Sequence, residues 1–126
     1  MELNEYQDKA MSTCMPSSDN FAYLMLNLVG EVGEFSSKVA KAIRKEQLYI
    51  CDNNMRIPTK HMISMDKTIE NDWKSEVGDV CWQLAGLCKV MGWTLEEVCQ
   101  ANLDKLASRQ NRVFIVTGKQ IVRAHV

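Results

Sequence analysis

Two short stretches of this sequence pair acids at a spacing that can do chemistry: Gly30-Glu31-Val32-Gly33-Glu34-Phe35 and Ser75-Glu76-Val77-Gly78-Asp79-Val80. Each reads acid-Val-Gly-acid followed by an apolar residue. On a helix, acids at i and i+3 share a face, about 60° apart around the axis. Two such helices packed antiparallel would bring Glu31, Glu34, Glu76 and Asp79 into one partly buried pocket. Uncompensated, each buried ion there costs several kcal/mol. About two divalent cations would balance the four charges, and an oxygen-only donor set selects hard ions, with Mg²⁺ first and Mn²⁺ as its substitute. One i,i+3 acid pair is common on a solvated helix. The repetition, with the same Val-Gly interior at the border of an apolar stripe, is what points to a metal centre.

The elements that must hold these acids follow from periodicity. Leu3 to about Thr13 reads as a short first helix with Leu3, Tyr6 and Ala10 on one side. Met15-Pro16-Ser17-Ser18 breaks it, and Ser18 or Asp19 is placed to cap the next helix. Phe21, Leu24, Leu28, Val32, Phe35, Val39 and Ala42 or Ile43 recur at steps of three and four, giving a second helix to about Lys45. Glu31 borders that stripe. Residues 46–65 lose periodicity and contain Asp52-Asn53-Asn54 and Pro58, so they read as a connecting lobe without assigned structure.

Trp73, Val77, Val80, Leu84, Leu87 and Met91 form the seam of a third long helix, which Gly92 ends. Thr94 and Glu97 spell a capping box, with Trp93 and Val98 as its hydrophobic staple, and the fourth helix runs to about Arg109. Val113-Phe114-Ile115-Val116 suggests a short strand or an arm onto a partner. The expectation is an all-α, antiparallel bundle of about four helices over residues 1–112, followed by a tail or subunit arm at 113–126. Gly33 and Gly78 sit inside helices, where glycine costs ~1 kcal/mol relative to alanine. Close helix approach, or access of a ligand to the acids, would account for them.

With these residues in view, the sequence resembles the MazG-like, all-α nucleoside triphosphate pyrophosphohydrolases, whose pattern is E-x-x-E on one helix and E-x-x-D on the next. Glu5-Tyr6-Gln7 with Ala10 resembles the family's first helix, and Gly92 to Val98 leads into Ala101-Asn102-Leu103-Asp104-Lys105-Leu106 and Arg109. The resemblance implies that Glu31, Glu34, Glu76 and Asp79 bind Mg²⁺. It places Asn102, Lys105 and Arg109 near the metal or the phosphates, and Trp82 at a position that contacts the base in some members. It implies Mg²⁺-dependent hydrolysis of (deoxy)nucleoside triphosphates between the α and β phosphorus atoms; any one of the four acids could accept the proton of the attacking water, Glu34 first among them. These assignments have plainer counterparts: Trp82 packing on the first helix or a second subunit, and Lys105 and Arg109 as a solvated cationic face. Gly30 stands where some members carry an additional Glu, and the link from Glu34 to Glu76 is long. The alternatives are a phosphoribosyl-ATP pyrophosphohydrolase and a non-catalytic helical oligomerisation or regulatory module.

Composition narrows the field further. The chain has 126 residues, 46% apolar and 25% charged, with a net charge of −1 and dispersed Lys and Arg. That argues against duplex nucleic acid, which demands a concentrated basic surface. No run approaches the ~18 apolar residues of a membrane span, and the acidic start does not read as a signal peptide. Five cysteines without a C-x-x-C pair, and two histidines without ligand-like neighbours, argue against a zinc site or a disulfide framework. Free, mostly buried thiols in a reducing cytoplasm are the expectation. Four helices of this size leave long seams incompletely covered, so oligomerisation is expected, and the family resemblance implies a homodimer or homotetramer.

Overall fold

A computed structural model describes residues 1–51, 54–56 and 64–116. Four helices carry the fold: α1 (Leu3–Met11), α2 (Phe21–Arg44), α3 (Ser64–Val90) and α4 (Leu95–Val116). A 3₁₀ turn at Pro16–Ser18 precedes α2, and two short strands, β1 (Tyr49–Cys51) and β2 (Asn54–Arg56), pair antiparallel between α2 and α3. The bundle matches the all-α expectation. The hairpin gives part of the 46–65 lobe a structure that helical periodicity could not reveal. Asp52-Asn53 between two short runs was its cue in the sequence.

Several boundaries differ from the sequence reading. Asn20, rather than Ser18 or Asp19, caps α2, its side chain accepting the Tyr23 N–H at 2.8 Å. The fourth helix does not stop near Arg109; it continues through Val116, so Val113–Val116 is helical, not a strand. Each residue added to a running helix gains a backbone bond, and the β-branched penalty is only tenths of a kcal/mol. Residues 117–126 of the expected tail lie outside the described residues.

The helix ends are closed by specific chemistry. Gly92, at φ +77°, ends α3 in a Schellman motif: the Trp93 N–H donates to the Cys88 carbonyl at 2.8 Å and the Gly92 N–H to that of Lys89 at 3.0 Å. At the end of α2 the same pair of bonds runs from Gln47 to Ala42 and from Glu46 to Ile43, with Glu46 itself at φ +57°. The Thr94–Glu97 capping box forms in both directions, at 2.9 and 3.1 Å.

Helices α2 and α3 pack along their length, Leu24 of one meeting Gly86 of the other and Phe35 meeting Trp73 at a ring separation of 5.7 Å. α1 lies on α3, and α4 rests on α1 and α3. Gln7 ties this corner together: its amide N–H group donates to the carbonyls of Ala85 and Trp93, and its oxygen accepts the Leu95 N–H at 2.9 Å. Both donors and one acceptor site of this buried amide are thus used. The fully packed core is small among the described residues, with Met11, Leu24, Ala42, Leu48, Ala85 and Cys88 buried. Phe21, Val32, Val77, Leu84 and Met91, all placed on the expected inner seams, are exposed. Leu24, Leu28, Phe35, Val39, Ala42, Trp73, Val80 and Leu87 keep the expected inward side, while Glu31, Lys38, Glu76 and Gln83 turn inward beside them.

Candidate metal centre

The antiparallel register of α2 and α3 brings the two acid pairs to one level of the bundle. Glu31, Glu34 and Glu76 each offer a carboxylate oxygen, and these atoms lie within 4.8 Å of one another. Glu76 is 7% exposed, Glu31 is half-buried and Glu34 is exposed at the rim. Oε2 of Glu31 and Oε2 of Glu76 are buried without any hydrogen-bond partner. An orphaned buried oxygen carries a desolvation penalty, and here two of them share one site.

Asp79 is exposed and stands outside that triad of atoms. Its charge nonetheless reaches Glu31. Burial, followed by the charges of Asp79, Glu34 and Glu76, holds the Glu31 carboxyl above its ordinary range. Asp79 also acts on α1: burial raises the Tyr6 phenol, with Cys81 and Asp79 adding to the effect. The four acids therefore occupy one electrostatic neighbourhood, with Glu76 at its floor.

The fit to a hard divalent cation can be judged from the donors themselves. They are all carboxylates, their oxygens converge, and two of the three acids keep a buried oxygen without a partner. A divalent ion would satisfy those oxygens and relieve the like-charge repulsion together. The residues placed to hold it are Glu31, Glu34 and Glu76, with Asp79 adjacent.

Two partners of the site were not singled out by sequence. Lys38 reaches from α2 to α3, its Nζ 2.7 Å from Glu76 Oε1 and 2.6 Å from Asp72 Oδ1. Its hydrogen bonds to Asp72 and then to Glu76 hold the ammonium above its usual range. The available signal was spacing: Lys38 follows Glu34 by four residues, and Asp72 precedes Glu76 by four. Gln83, one heptad beyond Glu76, is a third inward polar group, and its Oε1 is also buried without a partner.

The remaining candidates fall elsewhere. The Trp82 indole N–H donates to the Ala10 carbonyl at 3.1 Å and the Thr13 hydroxyl at 3.0 Å, so Trp82 is anchored on the end of α1. Asn102 and Lys105 are exposed on α4 and Arg109 is half-buried. Asn102 and Arg109 share a helix line with Leu95 and Leu106, the half-buried leucines of α4. Among the described residues, no hydrogen bond or ion pair joins Asn102, Lys105 or Arg109 to the acids. Of the two reasons expected for Gly33 and Gly78, close approach of helices within the chain is corrected, because a Cβ at either would meet nothing within 4 Å. Close helix approach occurs at Gly86, where a Cβ would lie 2.8 Å from Leu24 Cδ2.

A family model described as the MazG nucleotide pyrophosphohydrolase domain matches residues 20–114. The chain belongs to that family. The match spans α2, α3 and nearly all of α4, and so contains both acid pairs of this MazG domain. The Gene 37 protein of Mycobacterium phage L5 is 31% identical over 122 residues, covering 91% of this chain and 94% of its own length. No solved structure matches the chain. Among the described residues, no helix is long and apolar enough to cross a membrane. Of the cysteines, Cys14, Cys81, Cys88 and Cys99 are free, but only Cys88 is buried, so the thiols are less enclosed than expected.

Proposed function

We propose that this MazG domain hydrolyses (deoxy)nucleoside triphosphates at the α–β phosphate bond, releasing nucleoside monophosphate and pyrophosphate, with Mg²⁺ as the resident ion and Mn²⁺ as its substitute. The observation that carries the reading is the pair of partnerless, buried oxygens on Glu31 and Glu76 inside a triad of acids. A divalent ion held there supplies charge neutralisation at phosphate oxygens and acidifies water. Glu31, Glu34 and Glu76 would hold it from facing helices, with Asp79 adjacent. Glu34, exposed at the rim, takes the proton from the water that attacks the α-phosphorus, while the bond from the α-phosphorus to the bridging oxygen breaks and pyrophosphate leaves. Asn102, Lys105 and Arg109 bind phosphate in this reading. Trp82 would contact the base only by the part of its ring not committed to α1.

A second copy of the chain is part of the proposal. Leu26 is 76% exposed and Val29 66% exposed, while Leu103 on α4 is 59% exposed. An open apolar groove of about 560 Å³ runs between α2 and α3, lined by Val32, Phe35, Val39, Ile43, Val77 and Val80. Apolar surface on this scale beside so small a core favours a homodimer or homotetramer, and a stable monomer by light scattering would contradict it. The unpaired cysteines support a reducing, cytoplasmic setting.

The deciding experiment is a pyrophosphate-release panel of ribo-, deoxyribo- and modified nucleotides, together with phosphoribosyl-ATP, in Mg²⁺. Wild type is expected to release pyrophosphate from at least one triphosphate. Glu31→Gln and Asp79→Asn are expected to abolish release with unchanged helical circular dichroism, and full activity in either variant sinks the reading. Stabilisation by Mg²⁺ without turnover of any nucleotide would favour a non-catalytic module instead.

A further inference from the structure

Lys38 is the side chain with most influence on what Glu76 can offer. It crosses from α2 to α3 and occupies Glu76 Oε1 at 2.7 Å, while Asp72, one helical turn before Glu76, holds the same ammonium at 2.6 Å from the other side. The Glu76 carboxylate is 7% exposed, so neither of its oxygens has water as a ready alternative. Its second oxygen, Oε2, is the partnerless one. One oxygen is therefore committed to a cation of the protein's own, and the other is left for the site. Rotation of the carboxylate about its terminal bond would break the Lys38 contact, so the group is also held in orientation.

We propose that Lys38, braced by Asp72, is a positioning residue that restricts Glu76 to a single ion-facing oxygen and thereby biases the site toward Mg²⁺ over Ca²⁺. The chemistry behind this is general. Mg²⁺ is small, demands near-octahedral geometry and is served by few, rigid oxygens, whereas Ca²⁺ takes six to eight ligands and accepts both oxygens of one carboxylate. Freeing Glu76 Oε1 adds an oxygen and loosens the group, and both changes favour the larger ion. The inference rests on the metal reading above but goes beyond it, since the acid quartet alone does not select between these ions.

Separate calorimetric titrations of Mg²⁺ and Ca²⁺ into full-length wild type, Lys38→Met, Lys38→Arg and Asp72→Asn test it. Loss of the lysine charge strengthens binding of any divalent ion, so the ratio of the two dissociation constants is the readout. In Lys38→Met the ratio is expected to move toward Ca²⁺ by roughly tenfold, about 1.4 kcal/mol. Asp72→Asn should move it the same way by less, and Lys38→Arg should stay near wild type. Equal changes for both ions in Lys38→Met, with the ratio preserved, overturn the proposal while leaving the metal site standing. Failure of wild type to bind either ion defeats the metal reading itself, and the inference with it.

Discussion

The α2–α3 pair has two levels of opposite character. At one, Leu24 is fully buried against Gly86 and Met11, and the buried Gln7 amide makes three hydrogen bonds, leaving no group of it without a partner. At the other, about 10 Å further along α2 by the helix rise, Glu31 and Glu76 bury like charges and leave two oxygens without partners. The same two helices form both, so the difference lies in the side chains rather than in the fold. A tightly packed, fully satisfied level fixes the helix spacing, and that spacing holds the acids together against their own repulsion. Packing is concentrated at the first level and the candidate metal centre lies at the second.

The sharpest way to break this contrast is to truncate one residue at each level. Leu24→Ala removes a fully buried side chain where α1, α2 and α3 meet, and such changes cost about 2–5 kcal/mol. That is a large share of the ~5–15 kcal/mol holding a domain folded. Its thermal midpoint should fall steeply, and any activity that survives below the midpoint should keep its KM. Glu76→Gln should do the reverse, abolishing pyrophosphate release while leaving the metal-free midpoint unchanged or higher. Paired thermal melts and release assays check both. A steep loss of stability in Glu76→Gln would show that the two levels are not separable.

A smaller effect follows from the charge at Glu31. Its folded-state carboxyl lies above the ordinary value of 4.5, so the native protein binds the proton more tightly than the unfolded chain. The stability this contributes is fully present below that ordinary value and is lost as pH rises through the folded one. Metal-free wild type should therefore lose more stability than Glu31→Gln between about pH 5 and about pH 8. Adding Mg²⁺ near the upper end should raise the wild-type midpoint by mass action and do less for the variant. Parallel pH profiles for the two proteins would remove the electrostatic part of the contrast.

How much of each level could be read from sequence differs for a physical reason. The acids announced themselves because their types and i,i+3 spacing repeat, and the helices carrying them have strong apolar periods. The capping box at Thr94 and the stop at Gly92 were legible because each uses a residue type that its backbone geometry requires. The inner seams were read correctly at Leu24, Phe35, Ala42, Trp73, Val80 and Leu87 and missed at Val77 and Leu84. Apolar periodicity assigns those two inward, but Glu76 and Gln83, one position earlier on the same helix, take the buried places. Lys38 and Asp72 were invisible as site residues because charged side chains on helices are ordinarily solvated, and only the packing register shows that they meet. Glu46 in the left-handed region, a conformation costing roughly 1–2 kcal/mol for residues other than glycine, left no mark in its residue type.

The glycines offer the finest test. A methyl at Gly86 would press on Leu24 Cδ2 at 2.8 Å, on Cδ1 at 3.3 Å and on Met11 Sδ at 3.5 Å. Leu24 is enclosed and cannot swing aside, so the overpacking cost of about 1–3 kcal/mol should exceed the gain of ~1 kcal/mol from replacing a helical glycine. Gly86→Ala is therefore expected to lower the thermal midpoint. At the acid level the balance reverses. Gly33→Ala and Gly78→Ala place their methyls in open space, so each should stabilise the single chain by up to ~1 kcal/mol. Midpoints measured over a range of protein concentrations separate two origins for these glycines. A gain at every concentration means that nothing packs on them. A loss that grows with concentration, accompanied by dissociation in light scattering, means that the second copy seats on the outer faces of α2 and α3, with glycine there to admit it.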